Sequence, residues 1–260
     1  MNKIIRIFIV IILIPILVFV IASANILFHH NKGESISHGN RFTGTLENGW
    51  LLPYTNDNFS SFSFTSYYLM KNAFIHHKVY QSVLDSYKKL EEINPNIYYR
   101  YMECSDIEGG SVYLHRSHRN GTSIDFMVPK IREGQVYTDI DDWGLAHYFL
   151  EFDSEGQLEP IYPFTNFIHP IIGKIISTQL DSKVRIDFET MAQHILAIDD
   201  ACKKNGILIS KVIFKIELKD KLFATKSGII LKSRGVPFAS KLKNSVNEMH
   251  DEHYHIDFKL

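Results

Sequence analysis

Two stretches far apart in the chain carry the same two-residue alternation, and together they constrain the fold more than any other feature. From Thr122 to Val128, an extended backbone sends Ile124, Phe126 and Val128 to one side and Ser123, Asp125 and Met127 to the other. From His253 to Phe258 the pattern returns: Tyr254, Ile256 and Phe258 share one side, and His253, His255 and Asp257 the opposite one. Each stretch buries aromatic and aliphatic groups behind it and presents His and Asp in front. A chain that pairs them needs a sheet with one face on the core and the other free for polar chemistry.

The bulk properties narrow what surrounds that sheet. With 260 residues and 45% hydrophobic content the chain can bury one good core, so one domain is expected after an N-terminal segment. A net charge of -1 gives no basic field for nucleic acid, which is set aside as a partner. Cys104 and Cys202 allow a single disulfide or two separate buried thiols, and no Cys-rich metal module. Histidine is the unusual residue, with 13 copies, three of them between His250 and His255.

Residues 1–28 read as a signal peptide or a membrane anchor. Lys3 and Arg6 precede an apolar run from Ile7 to Ile21, which fits an export signal. Ala22-Ser-Ala24 offers a cleavage site, yet apolar character resumes at Ile26-Leu-Phe28, so anchoring through residues 4–28 stays open. Either way the positive residues hold the N-terminus in the cytoplasm and the domain outside it: periplasmic, secreted or anchored in the inner membrane. Residues 29–63 lack a lasting period and read as a linker and first loops.

The domain, residues 64–260, is expected to be α+β: a small antiparallel sheet with helices on one face and a zinc site on the other, preceded by an N-terminal apolar helix. Val79, Val83, Tyr87 and Leu90 stand at helical spacing, with Asn94-Pro95 as a stop. Ile97 to Met102 reads as a strand, and Gly109-Gly110 opens a loop. Trp143 to Phe167 looks like a local elaboration with a hairpin turn at Asp153-Ser-Glu-Gly156. Phe188 to Cys202 predicts a second helix, with Asp187 and Glu189 at its start and Gly206 beyond its end. Ile207 to Leu218 predicts another strand, and Lys219 to Lys243 a lysine-rich, solvated flank with one short helix.

His118 and Asp125 stand seven apart with Gly121 between, a spacing that lets an imidazole and a carboxylate meet one ion where Gly121 turns the backbone. His253 and His255 face the same way on their strand, so one can ligate while the other stands off as a base. Two His and one Asp with a position left for solvent suit zinc, one ion per chain. A closed structural zinc site would need a fourth protein ligand, and neither cysteine adjoins these motifs. His29-His30, His147, His169 and His194 stay outside the site.

Ser117-His-Arg-Asn-Gly-Thr-Ser-Ile-Asp125 resembles the Ser-x-His-x-x-Gly-x-x-x-Asp signature of the metallopeptidases that include lysostaphin, the D-Ala-D-Ala carboxypeptidases and the Hedgehog signalling domain, matching it from His118 to Asp125 with Ser117 directly before the histidine. His250-Asp-Glu-His-Tyr-His255 is similar to one branch, the penicillin-insensitive murein endopeptidases. A helix led by His77, Cys104-Ser-Asp-Ile-Glu-Gly-Gly110 and Ser210-Lys-Val-Ile-Phe-Lys-Ile216 extend the resemblance from about Asn72 to Leu260. It implies that His118, Asp125 and His255 are the zinc ligands, that His253 adjoins the attacking water and that His250 lies close by. Arg116 and His250 are candidates to meet the oxyanion, and Glu252 rivals His253 as the base. Two cysteines and a long apolar leader depart from that branch. The implied activity is cleavage of D-alanyl to meso-diaminopimelyl cross-bridges between peptidoglycan peptide stems. A D-Ala-D-Ala carboxypeptidase or dipeptidase, and a catalytically silent zinc-containing cell-wall binding domain, are the alternatives.

Overall fold

The structure, a computed structural model, describes residues 9–112, 115–159 and 183–260. Among them the N-terminal segment is a π-helical turn, Ile9–Leu13, followed by a nine-residue apolar helix α1, Ile14–Ala22. No helix among the described residues is long and apolar enough to cross a membrane. Lys3 and Arg6, on which the export reading rests, lie outside the described residues, as does His169. Phe19 of α1 stacks on Phe64 at 5.4 Å between ring centroids.

Five strands make the central sheet: β1 (Phe59–Ser61), β2 (Tyr99–Tyr101), β3 (Ser123–Met127), β4 (Leu208–Ile213) and β5 (His253–Lys259), in the order β4-β5-β3-β2-β1. The two alternating stretches are neighbours. β5 and β3 run antiparallel with His255 opposite Asp125, His253 opposite Met127 and Asp257 opposite Ser123. The sheet is mixed rather than antiparallel throughout, since β1 and β2 run parallel. β1 comes from the stretch read as linker and loops. That stretch holds further pairs, Ile36–His38 with Thr45–Glu47 and Trp50–Leu51 with Phe74–Ile75. Strands of two or three residues are too short to show an alternation in sequence.

Two long helices cover the apolar face. α2 (His77–Ile93) buries Val79, Val83, Tyr87 and Leu90, and its last turn closes with the Asn94 amide donating to the Leu90 carbonyl. α3 (Phe188–Lys204) starts at Asp187, whose carboxylate accepts from the Thr190 amide at 3.1 Å, a cap worth about 1 kcal/mol. Both helices bring rings to the sheet. Tyr87 stacks on Phe59 at 4.1 Å, and His194 meets Phe126 edge-on at 4.8 Å. The face with Asp125, His253 and His255 is on the opposite side, and it too is buried, beneath loops.

Three further expectations change in detail. β4 is shorter than the apolar run: it carries an internal register shift at Ile209/Lys211, ends at Ile213 and gives way to a 3-10 turn at Ile216–Leu218. The flank from Lys219 to Lys243 forms two short helices, Lys219–Ala224 and Lys226–Ser233. The elaboration from Trp143 overlaps two short 3-10 turns, Asp141–Phe149, joined across a kink at Gly144, and the hairpin turn at Asp153–Gly156 forms, with Asp153 accepting from the Glu155 and Gln157 amides. Residues 160–167 of that stretch lie outside the described residues. Cys104 and Cys202 are both buried free thiols.

Candidate metal centre

The loop into β3 places the first pair of histidines. Gly121 takes φ +73°, and a Cβ there would lie 2.8 Å from the His76 amide nitrogen, so only glycine fits this turn. His118 itself holds φ +69°, a strained conformation for a residue with a side chain. That turn aims its Nε2 at Asp125 Oδ2, 3.1 Å away, with His115 Nδ1 3.7 Å from the same oxygen. His115, His118 and Asp125 each offer one ligand atom, all within 4.8 Å of one another, and this group could hold a metal ion.

β5 sets a further histidine beside this group. His255 Nδ1 lies 2.7 Å from Asp125 Oδ1, and its ring meets that of His118 edge-on at 4.7 Å. Asp125 thus has a histidine on each oxygen. Behind His255, Nε2 is 2.8 Å from Asp257 Oδ1, which also accepts from Ser123 Oγ at 2.7 Å. Arg41 Nε sits 3.3 Å from the second Asp257 oxygen as an ion pair. A carboxylate behind a ligating imidazole is the usual way to fix its tautomer and direction.

Charge in this group is set by burial and neighbours. Burial works against ionisation of Asp125, but His118 and His255 outweigh it and hold the carboxyl well below its usual range. Burial likewise disfavours protonated His255, yet the flanking Asp257 and Asp125 carboxylates push it up to about 10. His115 moves the other way, to about 3, through burial and then the neighbouring His118. The donor set is therefore a fixed anion with imidazoles around it. His118 Nδ1 is buried and has no hydrogen-bond partner among the described residues. Two or three imidazoles and a carboxylate, all but His115 fully buried, fit a divalent cation of the borderline class.

The expected catalytic residues fall in different places. His253 is buried beside the group and shares a short hydrogen bond from Nδ1 to the Glu252 carboxylate. Burial disfavours its charge, but Glu252, Asp125 and Glu103 raise it to about 9, while burial raises Glu252 to about 7. Glu252 does not turn away from His253, because β5 begins only at His253. His250 lies 4.6 Å from the His253 ring and donates from Nδ1 to the Val246 carbonyl at 2.5 Å. Arg116 is exposed, and among the described residues no hydrogen bond or ion pair ties it to the group.

Three residues complete the site that the sequence reading left out. His115 stands two residues before the Ser-x-His-type signature, and its His-x-x-His spacing to His118 was the available signal. Glu103, at the end of β2, is buried and raised to about 8 by that burial; it accepts from Ser66 Oγ at 3.1 Å and is paired with Tyr148 Oη. Tyr148 arrives from the 3-10 helix, 5.8 Å from the His253 ring. Nothing in its neighbouring sequence marks it. Asp251 is occupied structurally, accepting from Lys215 Nζ at 2.9 Å and from the Phe152 amide at 3.1 Å. His147 and His194 are buried core histidines.

Compared with known proteins, the sequence matches no family model and no curated protein. The likeness to murein endopeptidases therefore rests on the motif residues named above.

Proposed function

We propose that this chain is an exported zinc-dependent peptidoglycan D,D-endopeptidase that hydrolyses D-alanyl to meso-diaminopimelyl cross-bridges. The observation that carries the reading is the cross-strand pairing of His255 with Asp125, which brings both halves of the resemblance to one carboxylate beside His118. His118, Asp125 and His255 would hold zinc, with His115 as a further donor within reach. Zinc bound there supplies a Lewis acid for the scissile carbonyl and lowers the pKa of water near it toward neutrality.

The remaining work falls to side chains. Glu252 fixes His253 in the tautomer that carries hydrogen on Nδ1, which leaves Nε2 as the atom that exchanges a proton. Against burial, Glu252, Asp125 and Glu103 hold a proton on His253 up to about pH 9, and the charge of a cation bound beside Asp125 would oppose that. In the neutral form so released, Nε2 would take a proton from the attacking water and return it to the leaving amine, while the Glu252 carboxylate balances the imidazolium charge. His250, held neutral by burial and with its Nδ1 hydrogen donated to the Val246 carbonyl, presents Nε2 as an acceptor, which suits a donor on the attacking water or the substrate amide rather than the oxyanion. Arg116 is placed at the exposed rim, where it serves substrate carboxylates better than the reacting carbonyl.

Digestion of purified cross-linked muropeptides with zinc-loaded protein tests the reading. Dimers converted to monomers are expected, and His253→Gln is expected to slow conversion by roughly 100-fold or more. Release of free D-alanine with dimers intact would replace the endopeptidase by a carboxypeptidase. Binding to sacculi without any cleavage would leave a silent wall-binding domain.

A further inference from the structure

A groove of about 750 Å³ is lined in part by Asp142 to Ala146, and neither motif accounts for it. Its chemistry is distinctive. Arg100, its side chain only 13% exposed, runs along the wall, with Nη1 on Ser60 Oγ and Nη2 2.6 Å from Asp142 Oδ1. The Arg100 guanidinium also covers the Tyr98 ring at 4.8 Å. The guanidinium charge is therefore matched by the exposed carboxylate of Asp142, and an anionic ligand finds no uncommitted cation among the described lining residues. Around the ion pair are the hydroxyls of Ser61, Ser63 and Thr65 and the half-buried rings of Tyr54 and Trp143.

We propose that this groove binds the uncharged amino-sugar backbone of peptidoglycan, as a saccharide subsite separate from the metal centre. The inference rests on the peptidoglycan reading and extends it from the peptide to the glycan. An aromatic face accepts the apolar face of a pyranose ring, while a matched Arg–Asp pair and a ring of hydroxyls donate to and accept from its hydroxyl and acetamido groups. Ser61 Oγ donates to the Ser63 carbonyl and Ser63 Oγ accepts from the Ser66 amide, which leaves each hydroxyl further capacity for a polar ligand, and an acidic peptide would have to displace Asp142 from Arg100.

The position suits the assignment. Phe62 lines the groove and its ring lies 5.9 Å from Tyr148, whose ring lies 5.8 Å from His253. Phe62 and Tyr148 belong to a small apolar cluster with Met102 and Met127, so a peptide joining saccharide to His253 passes over that cluster. A stem of three or four residues, extended at ~3.5 Å per residue, bridges that span.

The probe is the β-1,4-linked trimer of N-acetylglucosamine, titrated into full-length zinc-loaded protein. The chain has two tryptophans, so Trp50→Phe leaves Trp143 as the only indole reporter. A saturable change in Trp143 fluorescence is expected, and calorimetry on Trp143→Ala is expected to show roughly tenfold weaker binding, a difference of about 1.4 kcal/mol. Absence of any saturable response in the Trp50→Phe protein would overturn the inference, whatever the behaviour of the alanine variant. Saturation by free stem peptides instead of the saccharide would overturn it too. Muropeptide cleavage is read separately: sugar binding without cleavage removes the endopeptidase reading alone, and cleavage without sugar binding removes the saccharide subsite alone.

Discussion

Asp257 stands behind the candidate metal centre and bears on it through His255. It takes the Nε2 side of His255, so the imidazole can present only Nδ1 to the group around Asp125. Asp257→Asn keeps the size and loses the charge, and metal affinity is expected to fall by about 10–100-fold in a competition titration with a chelating dye. Unchanged affinity would show that Asp257 is only a strand-packing residue. The alternation of His253, His255 and Asp257 made this residue visible in sequence as a companion of the histidines. What the alternation lacked was distance, since a two-residue period tells which side a group takes and nothing about which partner waits there. Glu103 and Tyr148 illustrate the harder case: each reaches the site from an element whose own pattern is unremarkable.

At the scale of elements, β3, β5, α2 and α3 were legible because each spends five or more residues on one period. The parallel edge strand β1 was not. Three residues inside a stretch rich in Asn, Gly, Ser and Thr carry no measurable period, and only the pairing with β2 makes them a strand. α3 carries the most exposed consequence of the helix–sheet contact. His194 is enclosed by Tyr87, Tyr99, Phe126 and Tyr254, and burial lowers its pKa to about 3. The unfolded chain protonates this histidine near pH 6.5, whereas the folded chain resists protonation until about pH 3, so its presence costs stability progressively as pH falls between those values. In chelator-treated protein, His194→Phe is therefore expected to reduce the acid-side slope of unfolding free energy by up to about 1.4 kcal/mol per pH unit between pH 6 and 4. Parallel slopes for variant and wild type, from urea unfolding at several pH values, would contradict the buried neutral imidazole.

At the scale of the whole molecule, the proposed metal centre would join two segments far apart in the chain, with β3 supplying Asp125 and the last strand supplying His255. A ligand that binds only where these meet stabilises the folded chain by about 4 kcal/mol when present at 1,000 times its dissociation constant. Chelation should lower the unfolding midpoint accordingly. The pH dependence of metal binding has a definite sign. In the metal-free protein His255 keeps its proton until about pH 10, because burial is outweighed by Asp257 and Asp125. A cation must displace that proton, so affinity rises by about tenfold per pH unit from pH 7 toward pH 9 if one proton is released. Potentiometric or isothermal titration in buffers of different ionisation enthalpy counts that proton. Gly121 was readable as the hinge of this arrangement, while the strain at His118 was not, since no residue type announces its own backbone conformation.

Metal stoichiometry by equilibrium dialysis with zinc, on wild type and on His118→Ala, Asp125→Asn and His255→Ala separately, tests the convergence of the two distant segments most directly. One zinc per chain in the wild type is expected, with loss of stoichiometric binding in every one of the three variants. Full occupancy in His255→Ala beside loss in the other two would contradict it, because the ion would then be held from the β3 side alone.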